Sequence, residues 1–152
     1  MCLTIITNGK RPRPKKAEED IVCYKLVKIL EHSNGKQVII SPFQQKQQWT
    51  VGVVKKASCL IRPIATRLIL WREFKINEGI FQVGEGYLHS YKDLEKALEA
   101  SEEASRCDMN YTVYKAIIPK GTYYFEGDTE WFLENGKRGY ASRKLKLIEE
   151  VK

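Results

Sequence analysis

The sequence is poor in the residues that build metal sites and disulfide frameworks. It holds four cysteines, Cys2, Cys23, Cys59 and Cys107, and two histidines, His32 and His89, in 152 residues. The closest cysteines stand 21 positions apart and no C-x-x-C occurs, so the paired ligands of a structural zinc site are missing. No metal is expected, and no motif implies a cofactor. Long apolar runs are missing too, and none approaches the roughly 18–20 residues of a membrane helix. The apolar stretch from Cys2 to Thr7 is followed, not preceded, by positive charge, which is the wrong order for a secretory signal. The expectation is a cytoplasmic protein with reduced thiols and no membrane partner. There is no internal repeat, no linker-like segment and no recognised nucleic-acid motif. One domain is expected, large enough to bury about two-thirds of its unfolded surface without staples.

Charge is plentiful and unevenly placed. The chain carries 26 Lys and Arg against 19 Asp and Glu, a net of +7. Residues 1–80 hold 15 basic and 6 acidic side chains, a net of +9, whereas residues 81–152 hold 11 and 13, a net of −2. The densest run is Lys10-Arg11-Pro12-Arg13-Pro14-Lys15-Lys16. Its two prolines exclude a helix and a central strand, which predicts an extended basic arm of polyproline type. Together with Lys55, Lys56, Arg62, Arg67 and Arg72, the arm is a candidate surface for nucleic acid or an acidic partner. Trp49, Trp71 and Phe74 lie close in sequence as candidates for stacking on bases.

Local patterns predict an α+β fold with a mostly antiparallel sheet and one clear helix at about 90–106. Leu3 to Thr7 and the β-branched, aromatic run from Ile21 to Leu30 read as strands. In the second run, Cys23, Lys25 and Val27 face opposite to Val22, Tyr24 and Leu26. Asn34-Gly35 then predicts a tight turn into Gln37 to Ile40. Trp49 to Val54 reads as a further short strand. Between Ala57 and Phe74, Arg62, Arg67 and Arg72 recur every five residues, a period of neither helix nor strand. Ser90 and Asp93 resemble a capping box, with Leu94, Ala97, Leu98, Ser101 and Ala104 on one helical face. Tyr111 to Ile118, Tyr123 to Glu126 and the strictly alternating Lys144-Leu145-Lys146-Leu147 predict further strands.

Several segments together resemble uncharacterised small proteins of bacteriophages and gut anaerobic bacteria. They are Met1-Cys2-Leu3-Thr4, Ile21 to Lys25, Ser41-Pro42-Phe43, Gly86 to Tyr91, Ile117 to Tyr124 and Tyr140-Ala141-Ser142. The resemblance implies a phage or mobile-element setting, with counter-defence as a role. A more distant likeness in layout is to the ADP-ribosyltransferase-like fold. Tyr24-Lys25, Tyr87-Leu88-His89-Ser90 and Tyr140-Ala141-Ser142 then stand at the places of its first strand, its Gly-aromatic strand entering a helix and its closing strand, with Tyr24, Lys25, His89, Ser90, Tyr140 and Ser142 as the ligand-binding candidates. No Arg or His accompanies Tyr24, and Ala141-Ser142 stands where that fold's catalytic Glu would be expected.

Two residues carry candidate chemistry. Cys2 would become an N-terminal thiol beside a free amine if Met1 were removed, the arrangement of an N-terminal nucleophile; the alternative is a small apolar residue opening an edge strand. His89 with Ser90 could hold a phosphate or carboxylate at a helix start; the alternative is packing at a sheet end. Catalytic residue types are scarce and unclustered, while basic and aromatic ones abound. The function expected is therefore binding, without catalysis, of a host protein or of an anionic small molecule such as a nucleotide. An enzyme using Cys2 or a site around His89, and a nucleic-acid-binding protein, are the alternatives.

Overall fold

The computed structural model describes residues 3–42, 47–58, 61–65, 79–84, 86–107, 110–129 and 139–151. In chain order the strands are β1 (Leu3–Thr7), β2 (Lys15–Lys16), β3 (Ile21–Glu31), β4 (Gln37–Ile40), β5 (Gln48–Trp49), β6 (Val54–Lys56), β7 (Ile64–Ala65), β8 (Gly79–Val83) and β9 (Leu88–Tyr91). The helix α1 (Leu94–Ser105) follows, then β10 (Tyr111–Ile118), β11 (Tyr123–Gly127), β12 (Gly139–Ser142) and β13 (Lys144–Glu150). The fold is α+β with antiparallel pairing throughout the described strands.

The large sheet runs β2-β11-β12-β9-β3-β10-β13-β6, with β4 and β5 joined beside β3, and a small sheet runs β1-β8-β7. Arg143 alone separates β12 from β13 in the chain, yet β9, β3 and β10 lie between them in hydrogen-bond order. The large sheet must therefore curl until the two ends of one bent strand meet. Opposite that bend the sheet is thinly joined, because β9 and β3 pair at Tyr24↔Tyr91 alone.

The concave interior is filled by Val27, Leu88, Ala116, Ile118, Leu145 and Leu147, with Cys23, Trp49 and Tyr140. Leu145 and Leu147 are fully buried, as their alternation predicts, and each such side chain stabilises by about 1.5–3 kcal/mol. The outer face is covered by two elements. Leu94, Ala97 and Ala100 of α1 pack on Leu26, Val113, Tyr24 and Tyr91, while β1 and β8 bring Leu3, Ile5 and Val83 against Phe125 and Ala141. The small sheet approaches this face closely because the paired residues Gly127 and Gly139 lack side chains. A Cβ on Gly127 would lie 2.5 Å from the Thr4 carbonyl oxygen.

Three local expectations change. The helix begins at Leu94 with Asp93 as its N-cap, and no side chain caps it. Ser90 instead lies in β9, paired with Tyr140 and fully buried, because extending the sheet satisfies its backbone where a cap would not. Leu98 is 41% exposed, so Ala100 takes the inward place assigned to it. The run Trp49 to Val54 is two strands, since Gly52 has φ +82° and turns the chain from β5 toward β6. The Asn34-Gly35 turn forms as expected, with Gly35 at φ +79°; that region costs other residues roughly 1–2 kcal/mol.

Candidate functional site

A cleft of about 910 Å³ opens where the arm, the small sheet and the bend of the large sheet meet. One wall is the arm itself, through Lys10, Arg11, Pro12, Arg13 and Pro14. Its entry is shaped by a turn in which the Thr7 hydroxyl donates to the Lys10 carbonyl at 2.7 Å. Its exit is fixed by the β2–β11 rungs Lys15↔Tyr124 and Lys16↔Tyr123. The prolines keep the arm extended between these anchors. Arg62 and Pro63, on the segment that leads into β7, also line the cleft. Tyr87 and Phe125 line the base, their rings edge to face with centroids 5.6 Å apart.

Arg143 completes the lining. It occupies the bend between β12 and β13, and its backbone is held on both sides. Its N–H donates to the Tyr123 carbonyl at 3.1 Å, and its carbonyl accepts from the Ala57 N–H at 2.8 Å. The guanidinium carbon lies 5.1 Å from the centroid of the Tyr123 ring, a cation–π contact that fixes the side chain. Its Nε is buried without a hydrogen-bond partner among the described residues, whereas buried N–H groups are normally paired. Among the described residues the cleft lining thus carries five cations, four of them arginines, and no acidic side chain. Arginine presents a planar fork suited to phosphate and carboxylate oxygens.

The structure gathers much of the basic run read from the sequence. Lys10, Arg11, Arg13 and Arg62 share the cleft, whereas Lys15 and Lys16 lie exposed beyond it on β2. Arg67, Arg72, Trp71 and Phe74 lie outside the described residues, as do Cys2 and Cys59. Trp49 does not serve as a stacking platform. It is buried, donates through Nε1 to the Ser41 hydroxyl at 2.8 Å, and lies against both Lys25 and Lys55.

The second group of sequence candidates also comes together, but inside the sheet. Lys25, Ser90, Tyr140 and Ser142 are buried on β3, β9 and β12, while Tyr24 faces α1 on the other side. Lys25 Nζ reaches across the thin β3–β9 joint and donates to the His89 carbonyl at 2.7 Å. The Ser142 hydroxyl donates to the Leu88 carbonyl at 3.3 Å. Burial lowers the Lys25 pKa to about 8, with Cys23 pulling weakly the other way. Burial also raises the Cys23 thiol to about 11 and the Tyr140 phenol to about 12. The Ser90 hydroxyl lies beside Cys23 without hydrogen-bond geometry to any partner. His89 is pushed down to about 3, chiefly by burial; the hydrogen bond of its Nε2 with the Gly84 carbonyl, 3.0 Å long, opposes this. At neutral pH His89 is therefore an uncharged core residue and cannot serve as a cationic anchor for an anion.

Arg143, Tyr87 and Phe125 were not singled out as site residues from the sequence. Arg143 is one of eleven basic residues in the second half, with nothing in its local sequence to set it apart, and only the curl of the sheet brings it to the arm. Among the described residues no three His, Cys, Asp or Glu side chains converge as metal ligands would. Nor is any described helix long and apolar enough to cross a membrane. Comparison with protein-family models, curated proteins and solved structures gives no match to this chain.

Proposed function

We propose that the protein binds an anionic small molecule of the nucleotide class in the basic cleft and does no chemistry on it. The observation that carries this reading is the lining itself: among the described residues, five cations without a carboxylate, together with Tyr87, Phe125 and the prolines. Such a lining suits a ligand with a charged end and a flat, weakly polar body. Its volume falls in the roughly 300–1,000 Å³ range of ligand pockets. Binding without turnover is supported by Cys23 and His89, which are buried and are not among the described residues that line the cleft. The cytoplasm belongs to the proposal and is supported by the free thiols of Cys23 and Cys107. In the phage or mobile-element setting that the resemblance implies, sequestering a host nucleotide would serve counter-defence.

A second reading, single-stranded nucleic acid, draws on Lys15 and Lys16, which carry the row of cations past the cleft along β2. Equilibrium dialysis against a nucleotide panel, with chromatography of the recovered ligand, tests the first reading. The expected result is retention of intact nucleotide, lost on Arg13→Glu with Arg62→Glu. Recovery of a cleaved or transferred product would replace it with an enzymatic one.

A further inference from the structure

We infer that the cleft selects ligands carrying at least two linked phosphate groups, and that Arg143 is the residue that fixes the innermost one. The inference rests on the cleft being a ligand site, as proposed above, and adds the ligand's charge and its anchor.

The first argument is charge. The cations come from three separate segments, with Lys10, Arg11 and Arg13 on the arm, Arg62 ahead of β7 and Arg143 at the bend. A single phosphate monoester brings about two negative charges at neutral pH, fewer than the five cations gathered in the lining. A chain of phosphates brings more charge and spreads it over more of them. The second argument is residue type. Arginine binds phosphate oxygens in pairs through its fork, and four forks call for more oxygens than one phosphate offers.

The third argument is Arg143 itself. The arm cations are exposed and free to adjust, whereas Arg143 is preset. Its backbone is bonded at both sides, its guanidinium lies on Tyr123, and its buried Nε–H has no acceptor among the described residues. The backbone bonds and the Tyr123 contact hold the guanidinium in place before a ligand arrives, which is how a preorganised contact strengthens binding. Its place beside the apolar base puts this contact where the phosphate chain joins the body of the ligand.

The test is isothermal titration calorimetry of the full chain at low and high salt. The probes are adenosine mono-, di- and triphosphate, inorganic tripolyphosphate and a short single-stranded oligonucleotide. The expected result is an affinity gain of about tenfold per added phosphate, as for one charge-assisted hydrogen bond. Arg143→Gln should flatten that series, and Arg143→Lys should restore little of it because lysine lacks the fork. Arg62→Gln, on an exposed wall residue, guards against a folding artefact and should weaken the triphosphate more than the monophosphate. If mono- and triphosphate bind alike, or the gradient survives Arg143→Gln, the inference is overturned while nucleotide binding stands. If only the oligonucleotide binds, with a steep salt dependence, the linked phosphates belong to a polynucleotide and the small-molecule source is rejected. If no probe binds at low salt, both the inference and the proposed function fall.

Discussion

Replacing Lys25 with Met should stabilise the protein at neutral pH, and the gain should shrink as the pH rises. Lys25 is buried in the concave interior and has no carboxylate partner among the described residues; its ammonium donates to the His89 carbonyl. Desolvation lowers its pKa from 10.5 to about 8. At about 1.4 kcal/mol per unit, holding the charged form inside costs about 3 kcal/mol. Met removes that cost but leaves the His89 carbonyl without its donor, a loss of roughly 1–3 kcal/mol. The net gain at pH 7 is on the order of 1 kcal/mol. The pH dependence follows from proton counting. Between about pH 8 and 10.5 the unfolded lysine still holds its proton while the folded one has released it, so raising the pH favours the folded state of the wild type. Cys23 works oppositely, since its thiol ionises first in the unfolded chain, between pH 9 and about 11. It is common to both proteins and largely cancels in their difference. Urea unfolding of wild type and Lys25→Met at intervals from pH 7 to 11 should show the variant's advantage falling by about 3 kcal/mol. A difference that stays constant over this range would refute the reasoning, because it would mean that Lys25 keeps its ordinary pKa in the folded protein.

Burial of His89 has its effect on the acid side. The unfolded histidine takes up a proton near pH 6.5 while the folded one resists to about pH 3. Stability should therefore fall as the pH drops through this window, by up to about 4–5 kcal/mol, and His89→Gln should flatten that limb of the urea-midpoint profile. Gly139→Ala would press a methyl group onto the Thr129 side chain and to within 3.1 Å of the Ser90 carbonyl oxygen, and should lower stability by roughly 1–3 kcal/mol. Gly84→Ala, with nothing within 4 Å of the added carbon, should stay within about 0.5 kcal/mol of wild type in the same thermal-melt series. Iodoacetamide labelling of the native protein, mapped by peptide mass spectrometry, should mark exposed Cys107 and spare buried Cys23 until denaturant is added.

Where the sequence was legible, one local pattern met one environment. Leu145 and Leu147 alternate with lysines because β13 has one buried face. The opposition of Lys25 to Tyr24 also reads directly from strand geometry. What could not be read was which face lies inside, since lysine is almost never fully buried and only the curl of the sheet encloses it. The helix start shows local and non-local signals in conflict. Ser90 and Asp93 have the spacing of a cap, but Ser90 pairs with Tyr140, some fifty residues away in the chain. The cleft divides in the same way. The arm announces itself by charge and proline, while Arg143 acquires its role from a bend that no local pattern encodes.

The large sheet is closed in two unlike ways, by the continuous chain at Arg143 and by the single rung between Tyr24 and Tyr91. The weaker closure is also the one the chain crosses again and again: from β2 to β3, from β9 through α1 to β10, from β10 to β11 and from β12 to β13. Strands on either side of that rung are interleaved in sequence, so neither side can be synthesised, excised or unfolded as a piece. Contacts of this kind have high sequence separation, and their loop-closure entropy must be met before they return any stability. The sheet should therefore form slowly and in one concerted event, with the cleft appearing only when the curl is complete.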